Sequence, residues 1–208
     1  NPLAQLKRSE NDFFKRLNFV GDIYASYELI DGLTLKTNIA GGLNFFNARQ
    51  FTSVTPEHSE IVTKNTLIEQ SQNGYNWNWT NTVNYVGSFG NHNINALLGM
   101  EAVKNGGKGH GVQRSEYLYE TPEFYLLSNA SGDPSIDYAY DGFNSLLSYF
   151  ANVNYNFDDK YFFTATIRQD ETSRFQEFKS DIFPSFSAGW NLSNEDFFPT
   201  SGLVNYMK

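Results

Sequence analysis

The chain contains no cysteine, which removes disulfide frameworks, thiolate metal sites and cysteine nucleophiles in one step. Histidine is almost as scarce, with 3 in all, and no two of His58, His92 and His110 have the spacing of a metal-ligand pair. Solvated or structural roles are expected for all three, with His58 and His110 in connections and His92 at a strand edge. Long apolar runs are missing as well. Mean hydropathy is −0.48, and nothing approaches the roughly 20 consecutive apolar residues that a membrane-spanning helix needs. That absence leaves a membrane barrel open, because barrel strands alternate lipid-facing and lumen-facing residues and average out as polar. Charge is sparse and acidic, 15 Lys+Arg against 23 Asp+Glu for a net of −8, so a nucleic-acid partner, held through cations on phosphate, is excluded. Asn1–Leu6 shows neither the basic nor the apolar region of a secretion leader. The sequence is therefore that of a cytosolic chain or of one whose true beginning lies further upstream.

Catalytic signatures are missing too. There is no Gly-x-Ser-x-Gly and no carboxylate pair beside a plausible acid. The glycine-rich run Asn105–Gly111 holds Lys108 but lacks the spacing of a phosphate loop, and reads as a flexible connection. Asp133, Asp137 and Asp141 recur every fourth residue, whereas a calcium loop needs carboxylates at alternate positions. No enzyme, cofactor or metal is expected.

Aromatic residues, by contrast, are plentiful at 17% of the chain, with 19 Phe, 13 Tyr and 3 Trp, a composition that suits pleated, half-buried strands. Seven segments alternate with a period of two. The apolar rows run through Phe19, Ile23 and Leu29; Leu33, Ile39 and Phe45; and Tyr75, Trp77, Trp79 and Tyr85. They continue through Ile94, Leu98 and Met100; Tyr149, Val153 and Phe157; Tyr161, Ala165 and Ile167; and Ile182, Phe186 and Trp190. The opposite rows are rich in Asn, Thr and Ser, and Asp22, Glu28, Lys36, Glu101, Arg168, Asp170 and Asp181 all fall on them. Val20, Leu97, Phe150 and Phe162 interrupt the polar rows.

A soluble sandwich would also keep charge off its core face, so the connections decide between the two folds. Ile30–Gly32, Val86–Asn91 and Asp158–Lys160 have hairpin length with Gly or Asp at the bend. Between them lie the long stretches 46–73 and 103–144 and the shorter 171–180. Short and long alternate strictly, as they do when tight turns face one side of a membrane and elaborate loops the other. A Greek-key sandwich has no reason to follow that rhythm. The reading is all-β: an antiparallel up-and-down meander, part of a large transmembrane outer-membrane β-barrel. Leu203–Lys208 looks like the opening of another strand, and an open sheet of seven strands leaves two edges that barrels close. Residues 1–208 are therefore expected to be part of a barrel rather than a whole one.

The segments Ser148–Phe157, Asp159–Tyr161 and Thr164–Arg168, then Ser173-Arg174-Phe175 and Phe183–Trp190, resemble the SusC/RagA branch of TonB-dependent receptors, and His92–Glu101 is similar to another strand of that family. Glu171 and Thr172 depart from the Gly-Ser that usually precedes Ser-Arg-Phe there, which bears on the local turn and not on the fold. The resemblance implies a cell outer membrane location and import of oligosaccharides or peptides with a SusD-like surface lipoprotein. It also implies energisation by TonB through an upstream segment, with the plug upstream as well.

Two sets of residues follow as candidates. Ile23, Ile39, Trp77, Trp79, Leu98, Val153, Ala165 and Trp190 are expected to face outer-membrane lipid. Tyr117, Tyr119, Phe124, Tyr125, Tyr138 and Tyr140, in the stretch between the fourth and fifth strands, are expected either to contact substrate or lipoprotein or to pack on one another. Ser193 and Asp196 have capping-box spacing for one helical turn before Phe197. Two rival readings are a soluble β-sandwich that binds glycans and a surface enzyme.

Overall fold

A computed structural model describes residues 2–55, 61–177, 180–199 and 206–208. After a short helix α1 (Pro2–Arg8), the described chain forms seven strands: β1 (Phe13–Ile30), β2 (Leu33–Thr52), β3 (Thr66–Phe89), β4 (His92–Ser115), β5 (Ser135–Phe157), β6 (Tyr161–Thr172) and β7 (Ser180–Trp190). They lie in one sheet in the order β1-β2-β3-β4-β5-β6-β7, so each strand pairs with its sequence neighbour. The described residues divide into two compact units, one of 1–20, 42–76 and 105–143, the other of 21–41, 77–104 and 144–208.

The expected faces hold across β5, β6 and β7. Across β5 and β6, Ala151 opposes Ile167, Val153 opposes Ala165 and Tyr155 opposes Phe163, while Ser148, Asn152 and Asn154 oppose Asp170, Thr166 and Thr164. Across β6 and β7, Ala165 opposes Phe186 and Thr166 opposes Ser185. Side-chain contacts link matching rows between the earlier strands. The Lys36 ammonium sits 5.2 Å from the Tyr24 ring centre on the polar row. Trp79 Nε1 donates to Thr37 Oγ1 at 3.0 Å and Asn81 Nδ2 to Met100 Sδ at 3.9 Å, both on the apolar row. These two bonds give partners to polar atoms on a row of otherwise apolar side chains.

Two of the three tight turns are shorter than the sequence suggests, and Asp158–Lys160 is as expected. Asp31-Gly32 joins β1 to β2 and Gly90-Asn91 joins β3 to β4. Gly32 and Gly90 take φ of +77° and +59°, which glycine adopts at little cost. In the β5–β6 turn Asp158 and Asp159 both have positive φ, and Lys160 N donates to Phe157 O at 3.0 Å. Neighbouring turns are tied together: Asn91 Nδ2 donates to Asp158 Oδ1 at 3.0 Å, Asp158 N to Asn91 O at 2.8 Å and Val86 N to Gly32 O at 2.8 Å.

The long connections differ most from expectation. β2 and β3 consume much of 46–73, and β4 and β5 much of 103–144, so the connections shrink to 53–65 and 116–134. The glycine-rich run expected to be flexible is strand, as is His110, both inside β4. Rings explain how so many glycines persist in a ladder. A Cβ on Gly106 would lie 2.6 Å from the Tyr75 ring, one on Gly109 2.8 Å from Tyr140, and one on Gly111 2.8 Å from Tyr138. Each glycine is a floor on which a neighbouring strand lays an aromatic ring. The apolar rows also end where the sequence-based strands ended. Along β4, Ile94, Ala96, Leu98, Met100 and Ala102 give way to Lys104 and Lys108 at alternate positions.

The last turn is 3₁₀, at Leu192–Asn194, with Asn191 at its N-cap position and no side-chain cap. Ser193 is therefore not the expected cap; its Oγ donates to Met207 O at 3.3 Å instead. Of the expected eighth strand, Leu203–Asn205 lie outside the described residues, and Tyr206–Lys208 form none. His58 lies outside them too.

Candidate functional site

The six aromatic candidates do not form one cluster; they separate into three pairs. Tyr117 and Tyr125 are buried with Phe51, Leu67 and Ala130. The Tyr125 ring stacks on Phe51 at 3.8 Å and Tyr117 meets Phe51 edge-on at 5.4 Å. Burial pushes both phenols above their ordinary value. This pair is the packing alternative realised: the connection 116–134 has its own small core.

Polar bonds complete that core. Asn65 Nδ2 donates to Tyr117 O at 2.9 Å and Asn65 Oδ1 accepts from Tyr117 N at 2.7 Å, so one side chain satisfies both backbone groups of the tyrosine. Arg114 donates from Nε to Gly132 O and from Nη1 to Leu127 O, both at 2.9 Å. Glu116, at φ +67°, accepts from Lys64 Nζ at 2.5 Å, and that hydrogen bond holds its carboxyl below the ordinary value. Sequence reasoning missed Phe51, Leu67, Asn65 and Arg114, since nothing in a lone Asn or Arg announces a backbone partner far along the chain.

The second pair, Tyr119 and Phe124, is exposed, with ring centres 4.9 Å apart. The third pair is not in the connection at all. Tyr138 and Tyr140 are two residues apart in β5 and so share a face. Their rings are stacked with a wide offset, centres 6.2 Å apart and planes 21° off parallel. Beneath them are Gly111 and Gly109, both buried. Gln72 Nε2 donates to Tyr138 Oη at 2.8 Å.

The apolar candidates sit one to a strand in β1, β2, β4, β5, β6 and β7, with Trp77 and Trp79 both in β3. All are exposed, Ile23 at 80% and Leu98 at 60%, except Ala165, which is half-buried between Val153 and Phe186. The polar row carries an ionic centre. Arg168 Nε donates to Asp170 Oδ1 at 2.7 Å, and its Nη2 donates to Ser148 Oγ at 2.9 Å and to Glu101 Oε2 at 3.3 Å. Its guanidinium stands 5.7 Å from the centre of the Phe150 ring, and that ring fills the space a side chain on Gly99 would take. This accounts for Phe150 on a polar row. Arg168 thus stands between two carboxylates, those of Asp170 and Glu101. Arg168→Met should destabilise the sheet by about 1–2 kcal/mol, the arginine being about a third exposed and partly screened. Arg168→Met combined with Asp170→Asn should recover part of that loss, measured as the urea midpoint.

No protein-family profile matches the chain. Among characterised proteins, TonB-dependent receptor P3 of Formosa agariphila is 32% identical over 212 residues, all of this chain and 21% of that receptor. TonB-dependent receptor SusC of Bacteroides thetaiotaomicron is 28% identical over 213 residues, again all of this chain and 20% of the relative. The chain thus spans about a fifth of the length of the relatives it matches. A solved structure of the RagAB peptide transporter superposes on 90% of the chain with a TM-score of 0.76 at 22% identity. The seven-stranded meander therefore has the fold of part of a TonB-dependent receptor barrel.

Proposed function

We propose, on the premise that this chain is a SusC-like segment of a TonB-dependent receptor, that it forms wall strands of an outer-membrane nutrient importer. One observation carries the reading most directly. A single sheet of sequential antiparallel strands keeps one row apolar and exposed and the other rich in Asn, Thr and Ser. All seven described strands belong to that one sheet, which favours a barrel wall over the two stacked sheets of a sandwich. Transporters of this class close at about 22 strands around a plugged lumen. On this reading the apolar row meets outer-membrane lipid and the polar row faces the plug. The connections 53–65 and 116–134, with Tyr119 and Phe124, face outward toward cargo and a SusD-like lipoprotein. The plug and the TonB-contacting segment belong to the rest of the receptor. Bond-making chemistry is not part of the role; cargo of the oligosaccharide or peptide class is bound and passed on.

Single cysteines at Asn152, Val153, Asn154 and Tyr155 test the orientation in cells expressing the intact receptor. Asn152→Cys and Asn154→Cys should react with a water-soluble maleimide, and Val153→Cys and Tyr155→Cys with a lipid-soluble one. Uniform reactivity along the four positions would remove the assignment.

A further inference from the structure

We infer that Tyr138 and Tyr140 form a stacking platform for neutral glycan on the lumenal row of β5. The inference rests on the importer reading, since it requires the even-numbered row of β5 to face the lumen. Even positions of this strand include Ser148, Asn152 and Asn154, the polar row, and Tyr138 and Tyr140 continue that parity.

The geometry is that of two tiles on a floor. The rings lie where side chains on Gly111 and Gly109 would otherwise stand, at 2.8 Å from the Cβ each would carry. Both glycines are buried while Tyr140 keeps 49% of its surface open. The two rings are near-parallel and stacked with a wide offset, centres 6.2 Å apart and planes 21° off parallel, so they form one aromatic patch. Ring carbons of both tyrosines lie over the two glycines, with Tyr138 half-buried and Tyr140 open. A pyranose presents a flat face of C–H bonds, which sits on such a surface as a hydrocarbon does, while its hydroxyls point sideways.

The rim supplies what hydroxyls need. Gln72 Nε2 donates to Tyr138 Oη at 2.8 Å, leaving its carbonyl oxygen available, and Gln70 Nε2 donates to Asp137 Oδ2 at 3.3 Å. Amide, carboxylate and phenol accept and donate without imposing positive charge. A carboxylate-bearing ligand would meet Asp137 and no cation among these partners, which favours uncharged sugar over acidic glycan or acidic peptide. Tyr75 over Gly106 and Phe150 over Gly99 also cover glycines, but each covers one glycine alone, and Phe150 has its upper face taken by Arg168. The β5 pair instead lays two adjacent rings over two glycines.

The test uses the purified intact receptor on an array of neutral plant, algal and host glycans beside an array of short peptides. The native receptor should retain at least one class of neutral glycan. Tyr138→Ala with Tyr140→Ala should weaken that binding on the order of tenfold, and Tyr140→Phe should preserve it, because the ring and not its hydroxyl does the stacking. Retention of peptides alone, no retention of any neutral glycan, or glycan binding unchanged by the double substitution would overturn the platform. Tyr140→Cys separates this from failure of the importer reading. Modification by a water-soluble maleimide in cells keeps the row lumenal whatever the array shows, and modification only by a lipid-soluble reagent overturns both.

Discussion

Leu98→Arg, introduced into the intact receptor, is expected to block its appearance in the outer membrane, whereas Asn95→Arg is expected to leave it near normal. The two positions are three apart in β4 and so fall on opposite faces. Leu98 stands in the middle of the charge-free row from Ile94 to Ala102 and is 60% exposed. That row is about as long as the 9–11 residues a strand needs to cross a bilayer, so on the importer reading Leu98 lies near mid-depth. An arginine facing hydrocarbon there costs roughly 2–4 kcal/mol, a large part of the 5–15 kcal/mol by which folded proteins usually exceed their unfolded state. Asn95 lies on the row of Glu101, where a cation meets water and acceptors, and surface changes of this kind stay within about 0.5 kcal/mol. Immunodetection in outer-membrane fractions gives the readout, supported by urea unfolding in lipid vesicles. Equal tolerance of both substitutions would remove the lipid face, and with it the importer.

What the sequence discloses changes along each strand. Faces, strand order and tight turns were legible because the strands keep one row apolar and the other rich in Asn, Thr and Ser, the contrast a bilayer would demand on the importer reading, and a period of two appears. Beyond Ala102 in β4 that contrast ceases. Lys104, Lys108 and His110 occupy the alternate positions, both rows become polar, and the periodic signal disappears while the hydrogen-bonded ladder runs on to Ser115. Four glycines between 106 and 111 reinforce the impression of a loop. Only a contact distant in sequence, a ring from β3 or β5 laid over each of Gly106, Gly109 and Gly111, shows why the strand survives there. Tyr138 and Tyr140 were misplaced for the same reason, being strand residues whose glycine partners lie in another strand. The Arg168 centre was half legible. Its charges sat on the right row, but its closure through Ser148 and Glu101 depends on the registers of three strands.

Gly32→Ala should be the most damaging of the small substitutions, and a comparison of three glycines separates its two causes. Gly21, Gly90 and Gly32 form a graded series. At Gly21 a Cβ meets nothing within 4 Å and φ is not positive, so alanine there should be neutral or slightly stabilising. At Gly90 the space is equally open but φ is +59°, so alanine should cost only the left-handed conformation, about 1 kcal/mol. At Gly32 φ is +77° and the added carbon would also lie 2.1 Å from Val86 O. That oxygen is backbone in the neighbouring strand, and Val86 is held in place by its own N–H, which donates to Gly32 O at 2.8 Å. Relief requires moving the β1–β2 turn away from β3, which breaks this bond and shifts the register of β1 and β2 against the rest of the sheet. The expected loss is about 2–4 kcal/mol, read as a lower urea midpoint of the intact receptor and as earlier loss of heat-resistant mobility on gels. Register is what a barrel wall can least give up, because a slip of one residue turns every lipid-facing side chain toward the lumen. Equal losses for Gly32→Ala and Gly90→Ala would mean that backbone conformation alone governs these turns and that contact between adjacent turns does not set the register.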